Sequence, residues 1–283
     1  MQNNSYYLYE QYTEILRELL NDYGVNTKKI KQMDIPLYYN EYKLRTFENI
    51  NHEVFVSEEL LKNKKYNKFK NVIEQIIEKA KNGDNLDIYL STGIKKNITN
   101  SDKMLNDWGV MHLHLGDTQK NGYVNRTKEL LFIYRDNQDK TKLYILDIFC
   151  HGDWSMKKTI EILRNNWKDV IEKYRIKEVI DVYPNLNDDG HKQFRDINAN
   201  ASIVIENDSY LTLGGGLNMM GTNILSSYYM TGNIRKFENL ENELINNYNI
   251  KREEIKLGFF EGNFFVEIKS GQQLIYKHLF NLL

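Results

Sequence analysis

The chain reads as an α+β protein: a central antiparallel β meander flanked by helices, followed by a hairpin-rich α+β portion. Three observations predict this. Strand-like runs at Val110–Leu115, Glu129–Arg135 and Leu143–His151 follow one another across polar connections. Apolar residues at helical spacing lie on either side of them. The last third breaks into short apolar runs separated by Gly, Asn and Asp turns.

The elements follow in order. Residues 5–23 place Leu8, Tyr12, Ile15, Leu16, Leu19 and Leu20 on one stripe, which predicts an amphipathic helix. Asn49–Ser57 is an arm with a short strand, and His52 is expected at the surface. Residues 66–81 carry Phe69, Val72, Ile73, Ile76, Ile77 and Ala80 on one face, and Gly83 ends that helix. Leu86–Leu90 has strand character, and Ser101 or Asp102 caps a short helix leading to Trp108. Ser155 is placed to cap a helix over 156–174. A strand over 176–182 is followed by Pro184–Gly190, where Asp188-Asp189-Gly190-His191 reads as a turn rather than a metal motif. Ser202–Glu206 and Tyr210–Leu213 form a hairpin. Gly214-Gly215-Gly216 lacks the Gly-Lys-Ser/Thr ending of a phosphate loop and reads as a structural turn. Two helices, 223–230 and 236–248, and a hairpin over 255–270 complete the chain. Glu267-Ile268-Lys269 imitates a nuclease Glu-x-Lys, but Glu261 stands too close upstream for that arrangement. The clearest boundary is 184–190, giving 1–183 and 184–283, unless the whole is one domain.

The chemistry concentrates between Asp107 and Trp154, which holds three of the six histidines. Alternation in a strand puts Val110, His112 and His114 on one face, and Asp147, Phe149 and His151 on one face. In a meander His114 and His151 meet at one edge, about 10 Å apart across two strand spacings. Two imidazoles so placed can act on opposite sides of one substrate as base and acid. His112 lies deeper, near Asp147. A buried Asp147 calls for a partner, expected to be His or Arg.

Composition narrows the classes. The 283 residues are 41% hydrophobic and 12% aromatic, with 20 Tyr and 2 Pro, and suit a globular protein. A net charge of −1 gives no global basic field for nucleic acid. One Cys excludes an intrachain disulfide framework and fits a reducing compartment. No 18-residue apolar run or leader pattern is present, so a cytoplasmic protein with no membrane partner is expected.

The stretch Val110–Trp167 resembles the core of RelE- and HigB-type bacterial toxins, in the wider barnase–RelE ribonuclease group. The runs Leu-Leu-Phe-Ile-Tyr-Arg and Leu-Tyr-Ile-Leu-Asp-Ile-Phe followed by a helix carry the resemblance, over about a fifth of the chain. Asp-Trp-Gly-x-x-His-x-His-Leu-Gly with a later His-Gly-x-Trp also resembles a set of uncharacterised bacterial proteins. The toxin resemblance implies metal-independent RNA cleavage in a toxin or phage-defence setting; in place of the toxins' basic catalytic set stand His112, His114 and His151 as the catalytic candidates, closer in type to the two-histidine members of the wider group. It implies RNA and an inhibitor or antitoxin protein as partners. Arg126 or Arg135 would hold the phosphate, and Tyr123, Tyr134 and Trp154 would stack on bases.

Two rival readings stand beside it. His-x-His on one strand face suits Zn²⁺ or another divalent metal, with His112, His114, Asp147 and His151 as ligands of a hydrolase. Alternatively the histidines are structural and the chain is a binding module.

Overall fold

The computed structural model describes residues 7–136, 138–153, 155–179, 182–270 and 273–281. The α+β class is correct. The helices are α1 (Tyr7–Asp22), α2 (Ile35–Arg45), α3 (Glu58–Lys62), α4 (Tyr66–Asn82), α5 (Gly93–Lys96), α6 (Lys103–Trp108), α7 (Lys158–Asn166), α8 (Lys168–Glu172), α9 (Asp188–Asp196) and α10 (Ile224–Tyr248). The strands are β1 (Glu53–Val56), β2 (Val110–His114), β3 (Gln119–Lys120), β4 (Tyr123–Val124), β5 (Glu129–Arg135), β6 (Lys142–Cys150), β7 (Ile203–Ile205), β8 (Asp208–Tyr210), β9 (Ile255–Phe260), β10 (Asn263–Ser270) and β11 (Gln273–Asn281). None of the helices is long and apolar enough to cross a membrane among the described residues.

Two compact units form. One comprises Met1–Asn40, Lys95–Thr99 and Ser226–Leu283, the other Glu41–Ile94 and Asn100–Leu225. The units therefore do not part at 184–190. Residues 184–225 fold with the central sheet, because Arg195 and the glycine loop bind α6, as shown below.

In the first unit, Tyr12 of α1 packs on Phe237 of α10 and Phe264 of β10, with ring centroids 4.9 and 5.1 Å apart. Strands β9, β10 and β11 make an antiparallel sheet in which Glu267 stands opposite Lys256. The Glu-x-Lys sequence is thus part of a sheet face. The two helices expected over 223–248 are one, α10.

The second unit is built on a four-stranded sheet ordered β1-β6-β5-β2. The meander β2-β5-β6 is antiparallel as expected. Strand β1 adds in parallel to β6, so the whole sheet is mixed. Both faces are covered, which is why β5 and β6 read as nearly continuous apolar runs. On one side Phe69, Val72, Ile73 and Ile76 of α4 pack on Leu113, Leu131, Ile133 and Ile145. On the other, Ile160 and Leu163 of α7 pack on Leu130, Phe132, Tyr134 and Phe149. A bulge at Leu146 sets Phe132 opposite Asp147 but Ile133 opposite Ile145. It precedes Asp147, so the parity from Asp147 to the strand end is kept.

Several local expectations are corrected. Residues 87–89 form a 3₁₀ turn rather than a strand. The helix expected over 156–174 breaks at Trp167, whose ring packs on Phe55 and Tyr144. Ser155 does not cap it; instead the Lys157 N–H donates to Asp188 Oδ1 at 2.8 Å. Between 175 and 179 only Arg175 bridges a strand residue, Tyr210. The Asp-Asp-Gly-His turn is the first turn of α9, capped by Asn187 accepting from Gly190 N–H. Its two acids suit the positive end of the helix dipole. His52 is buried, edge-on to Phe47.

The glycine loop has a packing explanation. Gly214 N–H donates to the Asp107 carbonyl and Gly216 N–H to the Asn106 carbonyl, both at 2.8 Å. A Cβ on Gly214 would stand 2.1 Å from the Leu105 oxygen and 2.6 Å from that of Asn106. Gly214→Ala is therefore expected to destabilise this unit by about 1–3 kcal/mol or more. Urea unfolding followed by tryptophan fluorescence checks it, and an unchanged midpoint would refute the close-approach explanation.

Candidate active site

Strand β2 delivers His112 and His114. Register sets His112 opposite Phe132 and His114 opposite Leu130. Across β5, Leu130 faces Phe149 and Phe132 faces Asp147. Opposed residues of antiparallel strands share a face, so His112 and His114 lie on the Phe132–Phe149 side. His151 follows the end of β6, and its N–H donates to the Lys128 carbonyl at 2.8 Å, extending the ladder. By alternation it shares the face of Phe149. The three imidazoles therefore occupy one face, at one end of the sheet. His114 and His151 are offset by two strands and two residues, about 12 Å between Cα atoms rather than 10.

The three differ in burial. His114 is buried, His112 half-buried and His151 exposed. Burial, then the positive charges of His112, Arg126 and His151, push the His114 imidazole down to about 4. His112 is lowered chiefly by burial and further by His151, Arg45 and Arg126, while Asp102 opposes. Arg126 is thus a positive charge acting on both His112 and His114. Arg126 is exposed, with Nη2 3.4 Å from Ser91 Oγ.

Other expected residues lie elsewhere. Arg135 ends β5 away from His114; its guanidinium is buried and donates to the carbonyls of Leu44 and Thr46. It caps the C-terminal end of α2 and is not placed to take a phosphate. Tyr134 is inaccessible in the core beside Tyr144. Tyr123 is half-buried in β4. Trp154 lies outside the described residues. Among the described residues Asp147 is held by neither His nor Arg. Asn63 Nδ2 donates to its Oδ1 at 2.6 Å, and the Ile148 N–H donates at 2.8 Å. Burial raises its pKa, against the pull of Asn63.

The proposed ligand set His112, His114, Asp147 and His151 is spread over two strands with β5 between them. Among the described residues, no three or more His, Cys, Asp or Glu side chains gather where they could hold a metal ion.

A second cluster escapes a reading by strand parity. Arg195 Nε donates to Asp107 Oδ2 at 2.7 Å, with the side chains 4% and 2% exposed. Its guanidinium lies 3.8 Å over the Trp108 ring, and His191 meets that ring edge-on at 5.2 Å. His191 and Arg195 are four residues apart on α9 and so share its face. The Asn187 cap followed by two acids is the signal that would have shown α9 and this pairing. Burial, then Arg195 and Lys157, push His191 down to about 4.

No family model matches the chain, and comparisons with curated proteins and with solved structures find no match either.

Proposed function

We propose that the histidine face cleaves RNA without a metal, in a cytoplasmic toxin or phage-defence setting. The observation that carries this reading is the grouping of His112, His114 and His151 on one face within the field of the Arg126 guanidinium. An anionic phosphodiester is the substrate such a face attracts. In the step proposed, the ribose 2′-oxygen bonds to phosphorus and the bond to the 5′-oxygen breaks. One imidazole takes the 2′-hydroxyl proton, and an imidazolium gives its proton to the departing 5′-oxygen. The products are a 2′,3′-cyclic phosphate and a 5′-hydroxyl. Arg126 pairs with the phosphate.

The test is cleavage of single-stranded RNA by purified protein in excess chelator. Wild type is expected to cut, with His151→Ala and His112→Ala each slower by about 10²–10⁴-fold. Full activity in both variants, or activity abolished by chelator, would overturn the reading.

A further inference from the structure

The three imidazoles are not equivalent in their hydrogen bonding. His114 is the most buried, 3% exposed. Its Nδ1 accepts the Thr127 N–H at 3.4 Å. A neutral imidazole has one N–H and one bare nitrogen. A bare Nδ1 puts the proton on Nε2, and Nε2 has no hydrogen-bond partner among the described residues.

The Thr127 amide is itself held from two sides. Thr127 Oγ1 accepts from the Leu115 N–H at 3.0 Å and donates to the Glu129 carbonyl at 2.6 Å. The hydroxyl thus ties the residue leaving β2 to the residue entering β5. The N–H that faces His114 is fixed relative to the strand that carries the ring.

We propose that His114 serves this site as a neutral donor, offering its Nε2–H to an anionic phosphate oxygen, and that Thr127 is the positioning residue that holds the ring in that tautomer. The substrate rests on the reading of this face as a phosphodiester-cleaving site; the tautomer does not. Burial and the neighbouring positive charges disfavour an imidazolium at 114, so the ring keeps one proton throughout the reaction. Proton transfer is then left to His151 and to His112, which burial likewise keeps neutral and so able to take a proton as base. A donor fixed before the reaction stabilises charge on the phosphate without reorganising.

Nitrogen-15 correlation spectra of the full chain test this directly. Wild-type His114 should show a bare Nδ1 and a protonated Nε2 from about pH 5 to 8, above its depressed pKa. Inorganic phosphate should shift the Nε2–H resonance and leave Nδ1 bare. Thr127→Val, which keeps the shape and removes both hydroxyl bonds, should mix the tautomers, and Thr127→Ser should restore one. In the cleavage assay His114→Ala should lose about 10²–10³-fold in kcat, whereas His114→Gln, whose amide can donate, should stay within about tenfold of wild type. A proton shuttle at this position would lose equally in both. An Nδ1–H tautomer, an imidazolium at neutral pH, or no response of Nε2–H to phosphate would overturn the proposal. Should wild type cut no RNA, the cleavage reading fails, while the spectra and the phosphate titration still decide what His114 does.

Discussion

Arg195→Ala is expected to destabilise the sheet-bearing unit by about 3–5 kcal/mol, the range for breaking a buried ion pair from one side. The Asp107 carboxylate is 2% exposed and its Oδ2 is held by Arg195. Its Oδ1 has no partner among the described residues. Removing the guanidinium leaves a buried carboxylate without its counter-charge, in a site where burial already raises its pKa against the pull of Arg195. The substitution also strips the cation from the face of Trp108. Asp107→Leu with Arg195→Met removes both charges and keeps much of the volume, so most of the loss should return. The measurement is urea unfolding followed by fluorescence. Trp108 and Trp167, the described tryptophans, belong to this unit, so the signal reports its unfolding. A loss below about 1 kcal/mol for Arg195→Ala would show the pair to be solvated, and would remove it as the reason residues 184–225 fold with the sheet.

What sequence reasoning reaches depends on whether the deciding contact is local. Alternation in Val110–His114 and in Asp147–His151 places the three histidines on one face because side-chain direction in a strand is a local property. The order β2-β5-β6 follows because short connections favour neighbouring antiparallel strands. The parallel partner β1 is joined to β6 across 85 intervening residues (from Val56 to Lys142), and nothing local announces it. Arg135 shows the same limit. It is an Arg at a strand end, the expected place for a phosphate contact, yet its fate is set by the Leu44 and Thr46 carbonyls some 90 positions earlier. Asp147 needs a partner, as its half-buried position demands, but the partner is the amide of Asn63 because α3 ends beside the outer edge of β6. The α9 cluster was legible in part. The cap and acids of its first turn are local, whereas the approach of Arg195 to Asp107 is not.

Acid should destabilise this unit steeply between pH 7 and 5. His114 and His191 are each held at about 4 in the folded chain, against about 6.5 when unfolded. Above 6.5 both states are neutral and the full stability is present. Below 6.5 the unfolded chain takes up protons that the folded chain refuses, so stability falls as pH falls, down to about 4. Each pKa gap corresponds to about 3 kcal/mol over the whole window and about 2 kcal/mol at pH 5. Together the two rings remove about 4 kcal/mol by pH 5, a large share of the 5–15 kcal/mol that typical domains possess. The groups facing them reinforce the effect: Arg195 and Lys157 around His191, and His112, Arg126 and His151 around His114. Urea midpoints at pH 7, 6 and 5 give the slope, and His191→Gln should reduce it by that ring's share whatever the variant's stability at pH 7, the remainder belonging to His114 and to His112 and His52, whose pKa values burial also lowers. A wild-type midpoint that does not move between pH 7 and 5 would mean that both rings accept protons in the folded state. His114 would then be free to act as an acid, and its assignment as a neutral donor would fall with it.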